Sequence, residues 1–435
     1  MEPGPVQVTF GEAFRFWLKL GFISFGGPTG QIAIMHQELV EKRRWISEGR
    51  FLHALNYCMV LPGPEAQQLA TYIGWLMHRT WGGIVAGGLF VLPSVFILIA
   101  LSWIYVTYGN VPLVAGIFYG IKPAVVAIVL AAAWRIAQRA LKHPALWALA
   151  AAAFVAIFAF DAPFPAIVLA AGLAGYLGGR FFPTIFSQKN THGTVNAFGP
   201  AIIDDDTPTA PHALFSWTKL AAYVGVGLAL WALVMGALAA AGGWDGTLAQ
   251  MGLFFSKAAL LTFGGAYAVL PYVYQGAVEH YGWLTGPQMI DGLALGETTP
   301  GPLIMVVAFV GYLGAGSAGA LVATFFTFLP SFVFIFAGAP FVETTHGNLK
   351  FSAPLTGITA AVVGVIVNLA LFFAWHVLWP RGAGGGFEWL SAIIGLAAFV
   401  ALFRFKVGIM PVIGACAFAG LATSALLGAP ITLLR

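Results

Sequence analysis

Charge is what this chain lacks. Only 8% of its 435 residues are Asp, Glu, Lys or Arg, and 60% are hydrophobic, whereas a soluble protein carries about 25% charged residues. So little polar material cannot cover a globular surface in water, which excludes a soluble enzyme and a nucleic-acid binder. Cysteine is almost absent. Cys58 and Cys416 both sit in apolar runs, so neither a disulfide framework nor a zinc site can be built from them. The nine histidines are scattered without ligand spacing, and neither a metal nor a cofactor is expected. No GxxxxGK[ST] string occurs, so ATP is not bound by a P-loop. Gly314, Gly316 and Gly319 match GxGxxG, but in an apolar run that follows no soluble strand. Close helix packing explains them better than a dinucleotide site. Met1 to Val8 lack the charged start of a cleaved signal peptide.

Apolar runs are what the chain has in abundance. Stretches of about 17–28 residues recur along its length, enough to cross roughly 30 Å of hydrocarbon. They do not alternate as the strands of a membrane barrel would. The fold class is therefore an all-α polytopic membrane protein, with the lipid bilayer as its surroundings. The net charge of +4 belongs to loops on the cytoplasmic side. Gly179 to His212 is the longest polar stretch, with Arg180, Lys189, Asp204, Asp205 and Asp206. It reads as a flexible linker whose acidic triplet is solvated.

The sequence also repeats itself. A shift of 238 places Lys19 on Lys257, Phe25-Gly26-Gly27 on Phe263-Gly264-Gly265, and Pro62-Gly63-Pro64 on Pro300-Gly301-Pro302. Gln37, Val40, Glu41 and Trp45 fall on Gln275, Val278, Glu279 and Trp283 in the same register. With one residue removed, Leu92-Pro93-Ser94 meets Leu329-Pro330-Ser331. The domains read as a first repeat over 1–180, a polar linker over 181–213, and a second repeat over 214–435 with one extra leading span. Lys42, Arg43 and Arg44 become His280, Tyr281 and Gly282 in the second copy. A cationic loop marks the cytoplasmic side, so its uncharged counterpart belongs outside. That is an inverted repeat, a common transporter plan. Residues 10–44 and 50–77 read as broken, re-entrant hairpins, because 10–25 offers only about 24 Å of helix. Full spans follow near 82–107, 113–135, 144–160, 163–179 and 215–241, an odd number that inverts the second copy.

Irregular backbone at membrane depth is tolerated only where it is buried in protein or lines a cavity. The breaks are Gly26-Gly27, Pro62-Gly63-Pro64, Gly264-Gly265 and Pro300-Gly301-Pro302. Each precedes a helix start, and Pro28, Pro64 and Pro302 suit a first helical position. The free N–H groups that follow, on Thr29, Gly30 and Gln31, on Ala66 and Gln67, and on Ile304 and Met305, point to an anion site. Lys19 and Lys257 precede the breaks and suit a small anion held between them; snorkelling to the interface is the alternative. Glu65 and Glu297 flank the two PGP strings and are candidate proton-coupling groups, or else simple helix caps. Asn56, Gln67, Gln68, Thr298 and Thr299 offer neutral polar contacts. Lys122 and Asn368 lack an equal partner in the other copy and read as packing or interface residues.

Phe25-Gly26-Gly27-Pro28, Trp45, Pro62-Gly63-Pro64 and Leu92-Pro93-Ser94, repeated in the second half, resemble the chromate ion transporter family in its long, two-domain form. The resemblance covers nearly the whole chain. It implies a multi-pass carrier of the bacterial inner membrane that exports chromate, a tetrahedral dianion similar to sulfate, and confers chromate resistance. The substrate partner is then chromate or a sulfate-like oxyanion, with a homodimer left open. The second copy departs from the first, with Ala266 opposite Pro28 and Leu303 opposite Glu65, so the two halves do not offer identical ligands. A channel for anions is the alternative, although no pore-lining ring of repeated charges is present.

Overall fold

A computed structural model describes residues 8–25, 27–109, 111–186, 198–263, 265–345, 352–382 and 384–427. Gly26 and Gly264 lie outside the described residues. The described chain is made of helices joined by turns, and its one β feature among the described residues is an isolated bridge between Ile46 and Ile203. Six of its helices are long and apolar enough to cross a membrane.

The first repeat opens with α1 (Phe10–Ile23), which starts on Thr9, whose hydroxyl accepts the Glu12 N–H. After the break, α2 (Gly27–His36) winds into a π turn over Gln37–Lys42. The chain returns along itself here, because Trp45 meets the Phe16 ring edge-on at 4.9 Å and the Arg43 guanidinium covers that ring at 4.9 Å. Next come α3 (Glu48–Val60), capped by Ser47, and α4 (Glu65–Tyr108). α4 reverses at His78 and Arg79, which leave helical geometry. Its two arms close so tightly that a Cβ on Gly74 would stand 2.5 Å from the Gly82 carbonyl oxygen. α5 (Pro112–Ala140), α6 (Pro144–Phe160), α7 (Phe164–Phe181) and a single turn, α8 (Pro183–Phe186), complete the repeat.

α9 (Trp217–Gly242) is the extra leading helix, and most of its surface is exposed. The second repeat then retraces the first: α10 (Thr247–Leu261), α11 (Ala266–Tyr274) with a π turn over Gln275–His280, and α12 (Gly286–Thr298). A 3₁₀ turn (Leu303–Met305), α13 (Val306–Thr345), α14 (Ser352–Leu378), α15 (Trp389–Phe403) and α16 (Ile409–Leu427) follow. Even the unusual dihedrals recur. φ is 57° at Arg44 and 64° at Gly282, and 129° at Gly63 and 105° at Gly301. The α4 reversal has its counterpart at Ala315 and Gly316 inside α13. Those reversals differ by 237 residues (79 to 316), so the residue missing from the second copy falls between the PGP string and the turn.

The second arms of α4 and α13 pack against each other in opposite directions. Gly83 faces Phe336 and Gly87 faces Phe332, so moving forward along one arm moves backward along the other. Equivalent helices that meet antiparallel are related by a two-fold axis perpendicular to them. For membrane-spanning helices that axis lies in the plane of the bilayer, the geometry of an inverted repeat.

The repeats also exchange their last helices. α5 packs on α15 and α16, while α14 packs on α6 and α7. Glycines set the closeness of both contacts. A Cβ on Gly120 would lie 2.0 Å from the Cys416 carbonyl oxygen, and one on Gly357 would lie 2.4 Å from that of Ala171. Small residues at such crossings let backbones approach where lipid gives no hydrophobic drive.

One sequence expectation is corrected. The described part of the linker is pinned rather than free. Asp205 Oδ1 accepts from Ser47 Oγ at 2.6 Å, Arg50 donates to the carbonyls of Asp204 and Thr207, and Ile202 and Ile203 donate to Arg44 and Trp45. Of the acidic triplet, Asp205 through its carboxylate and Asp204 through its carbonyl therefore hold the start of α3 instead of merely facing water.

The inversion has a direct check. Lys42 and His280 are exposed counterparts. Single cysteines there are expected to react with an impermeant thiol reagent from opposite sides of the membrane, and labelling of both from one side would overturn the inversion.

Candidate functional site

The breaks of one repeat meet those of the other. Gly63 N–H donates to Thr262 O at 2.7 Å, and Gly301 N–H donates to Ser24 O at 2.7 Å. Each PGP string thus docks two residues before the opposite glycine pair, and two pseudo-equivalent junctions form. Ser24 and Thr262 are buried counterparts, each returning its hydroxyl to the carbonyl four residues earlier. Ser94, from the second arm of α4, donates to Pro300 O at one junction. Its counterpart Ser331, from α13, lies at the other junction beside Gly63.

The junctions differ in their amides. Gln31, fully buried, donates from Nε2 to Gly301 O at 2.5 Å and to Ser24 O at 3.3 Å. Gln68 donates to Pro62 O at 2.8 Å, and Gln67 to Thr71 Oγ1 at 3.0 Å. The Oε1 atoms of all these glutamines and Ser331 Oγ are buried without a partner, half of the eight such atoms among the described residues. Buried polar atoms are normally paired, so each unpaired one calls for an explanation. A cluster at paired helix breaks is what a polar ligand's position looks like.

Helix starts at the junctions are also unsatisfied. α1, α3 and α12 begin on side-chain caps, whereas α4 (N-cap Pro64) and α11 (N-cap Gly265) have none. Their first N–H groups and positive dipole ends remain available to negative charge. Pro64 and Pro302 occupy the cap position itself rather than the first helical position expected of them. The glycines divide into two kinds. Gly63 and Gly301 are enclosed, while a Cβ on Gly27 would meet no heavy atom within 4 Å, and one on Gly265 would reach only Glu65 Oε1 at 4.0 Å. Room for a ligand therefore lies against Gly27 and Gly265.

Glu65 starts α4 at this place, partly buried. Glu297 is buried near the end of α12 and accepts a hydrogen bond from the Tyr267 hydroxyl. Thr298 and Thr299 return their hydroxyls to Leu295 O, and Thr299 is buried. Thr29 is exposed, and Gly30 is half-buried with Phe25 O close by.

Lys19 and Lys257 do not join the junctions. Both are exposed and make no hydrogen bond or ion pair among the described residues. Lys19 instead lines an outer cleft of about 580 Å³ with Thr9, Glu12, Arg15, Phe16 and Arg43. The rotational phase of α1 and α10 turns these side chains outward, and a dianion buried between them is not what this arrangement provides.

Two buried charge clusters escaped the sequence reading. Asp291, fully buried on α12, takes Lys122 Nζ at 3.3 Å and the Tyr105 hydroxyl at 2.9 Å. Glu343, on α13, pairs with Arg50 and accepts from the Tyr72 hydroxyl at 2.5 Å. Asp291 binds α12 of the second repeat to α4 and α5 of the first. Glu343 binds α13 of the second repeat to α3 and α4 of the first.

Fold and site together define a polytopic helical membrane protein of the broken-helix, inverted-repeat class. The chain belongs to the chromate transporter family, which matches residues 11–176 and 249–421 and leaves α9 outside both matches. It is similar to the chromate transport protein of Pseudomonas aeruginosa, at 34% identity over 96% of this chain and 94% of that one. It is also similar to the chromate transport protein of Cupriavidus metallidurans, at 31% identity over 92% and 89%. An uncharacterized transporter of Methanocaldococcus jannaschii is 26% identical over 90% and 89%. No solved structure matches the chain.

Proposed function

We propose that this chain is a secondary carrier of a tetrahedral oxyanion, with chromate as substrate and efflux across the inner membrane as its direction. The observation that carries the reading is the crossed docking of breaks, Gly63 on Thr262 and Gly301 on Ser24. It gathers uncapped helix starts, open glycine backbone and unpaired buried polar atoms in one region. An oxyanion suits that chemistry, because its oxygens accept from backbone N–H groups and from hydroxyls and need no counter-ion. Relatives that carry the name chromate transport protein over most of the chain's length support chromate, and their bacterial sources support an inner-membrane location. The binding groups are Gly27, Gly30, Gln31, Gln67, Gln68, Gly265, Thr298, Thr299 and Ser331, arranged between the repeats 1–180 and 214–435.

The test is uptake of labelled chromate and labelled sulfate by purified protein in liposomes, with and without an imposed pH gradient. Saturable flux with counterflow is expected; linear flux without counterflow would make the protein a channel. Glu65 and Glu297 supply the proton dependence in this reading. A carboxylate beside a bound dianion is repelled and desolvated, both of which favour its protonated form. Glu65→Gln and Glu297→Gln are each expected to flatten the pH profile of transport. A wild-type profile in both variants would reduce the two carboxylates to helix-end contacts.

A further inference from the structure

The two repeats have the same parts but are not packed alike. α11 and α12 pack against α14, whereas their counterparts α2 and α3 have no comparable packing against α5. The difference shows along one stripe of α5. Ile128, Ala132, Arg135 and Arg139 follow one another at spacings of four, three and four residues, so they share one helix face. Ile128 and Ala132 are buried in the main core, but Arg135 and Arg139 are exposed. The matching stripe on α14 is Val365, Leu369, Phe372 and His376, and its end is half-buried where the α5 stripe is exposed. Phe372 packs on Tyr274 at 4.5 Å and on His376 at 4.0 Å.

Among the described residues neither arginine has an acidic partner, and the Arg135 Nε–H donates to Ala131 O, one turn back. These two continue the face that looks into the protein, at the place where its cover is missing.

We infer that Arg135 and Arg139 line the mouth of a crevice between α5 and the α2–α3 pair, and that they are the first binding position of the oxyanion on its way to the junctions. Two guanidinium groups one turn apart offer a dianion paired charge-assisted donors. Their field raises the local anion concentration in a salt-dependent way. Phe372 and His376 mark the matching place on α14, which is better covered. The assignment rests on the oxyanion reading for its ligand and on packing alone for its crevice, so the two are tested separately.

For the ligand, chromate transport in liposomes is measured against concentration at low and high salt for the wild type, R135Q/R139Q and R135K/R139K. The glutamine pair is expected to raise KM tenfold or more, leave the maximal rate within about twofold and lose most of the salt dependence; the lysine pair restores the salt dependence. A glutamine pair with wild-type KM and wild-type salt dependence overturns the binding role. For the crevice, R139C and H376C are compared in cysteine-free protein without substrate. R139C is expected to react with an impermeant thiol reagent from the side that labels K42C, and H376C to be protected. Equal labelling overturns the crevice even if chromate transport is intact. If the wild type carries neither chromate nor sulfate while R139C still labels as expected, the oxyanion reading fails and the crevice stands.

Discussion

Gly301→Ala is expected to abolish transport and lower thermal stability, the larger effect of the two PGP glycines. Gly301 sits at φ 105°, where an L side chain is strained, at a cost of about 1–3 kcal/mol. Its new Cβ would also stand 1.8 Å from Ser94 Oγ and 3.4 Å from Phe90 O. Relieving that overlap pulls the Gly301 N–H off Ser24 O and shifts the carbonyl that Gln31 holds, so one junction opens. Ser94→Ala added to Gly301→Ala removes the obstructing oxygen but not the strain, and is expected to recover part of the lost stability. Gly27→Val makes the instructive contrast. φ is 71° there, yet no protein atom lies within 4 Å of the new Cβ. It is expected to lower stability through backbone strain alone, without any overlap, and to stop transport by filling the space an anion must approach. Uptake in liposomes and the unfolding midpoint in detergent measure both quantities. Wild-type uptake by Gly301→Ala would remove the crossed junctions from the transport path.

Asp291→Asn is expected to be the most destabilising single exchange outside the breaks. Its carboxylate is the charged partner of Lys122, whose side chain is 14% exposed. Removing one member of a buried pair leaves the other charge uncompensated, a loss of about 3–5 kcal/mol. The unfolding midpoint should fall sharply, and α12 should loosen from α5. Asp291→Leu combined with Lys122→Met replaces both charges with apolar groups and is expected to restore most of the stability, as buried pairs often allow. If the double variant is no better than Asp291→Asn, the carboxylate matters for the hydroxyl of Tyr105 rather than for Lys122.

The repeat and its breaks were legible because glycine and proline report backbone conformation directly. Positive φ at Gly27, Gly63, Gly265 and Gly301 is the reason the strings recur. The hairpins were legible from length, since the helices before and after each break are too short to span alone. The lysines kept two readings in the sequence, anion ligand or interface anchor, because six residues before a break fixes depth but not rotational phase, and phase decides whether Lys19 faces the junction or the outside. Asp291 was passed over because its partner lies on another repeat; a lone carboxylate in an apolar stretch carries no spacing signal. Gln31 was singled out for its backbone N–H, but the hydrogen bond of its side chain to Gly301 O spans both repeats and carries no spacing signal either. Arg135 and Arg139 carry no signal in the sequence beyond their charge, since their meaning depends on what fails to cover them. The linker was misread because acidic side chains next to prolines look solvated until Ser47 and Arg50 are seen beside them.

The exchange of terminal helices bears on how the molecule is made. α5 meets its closest partner at Cys416 and Gly420, and α14 meets its own at Ala171 and Gly175. During synthesis the first repeat emerges, enters the bilayer helix by helix, and then waits. Gly120 has no surface to close against until almost the last helix has left the ribosome. Each repeat is in effect the other's template, and assembly has to be late, long-range and all at once. Loop closure over such a separation is entropically costly and slow, so the half-made chain passes through a stage in which its small-residue grooves face lipid or the wrong neighbour. Quality control in the membrane would see this protein as unfinished until α16 arrives.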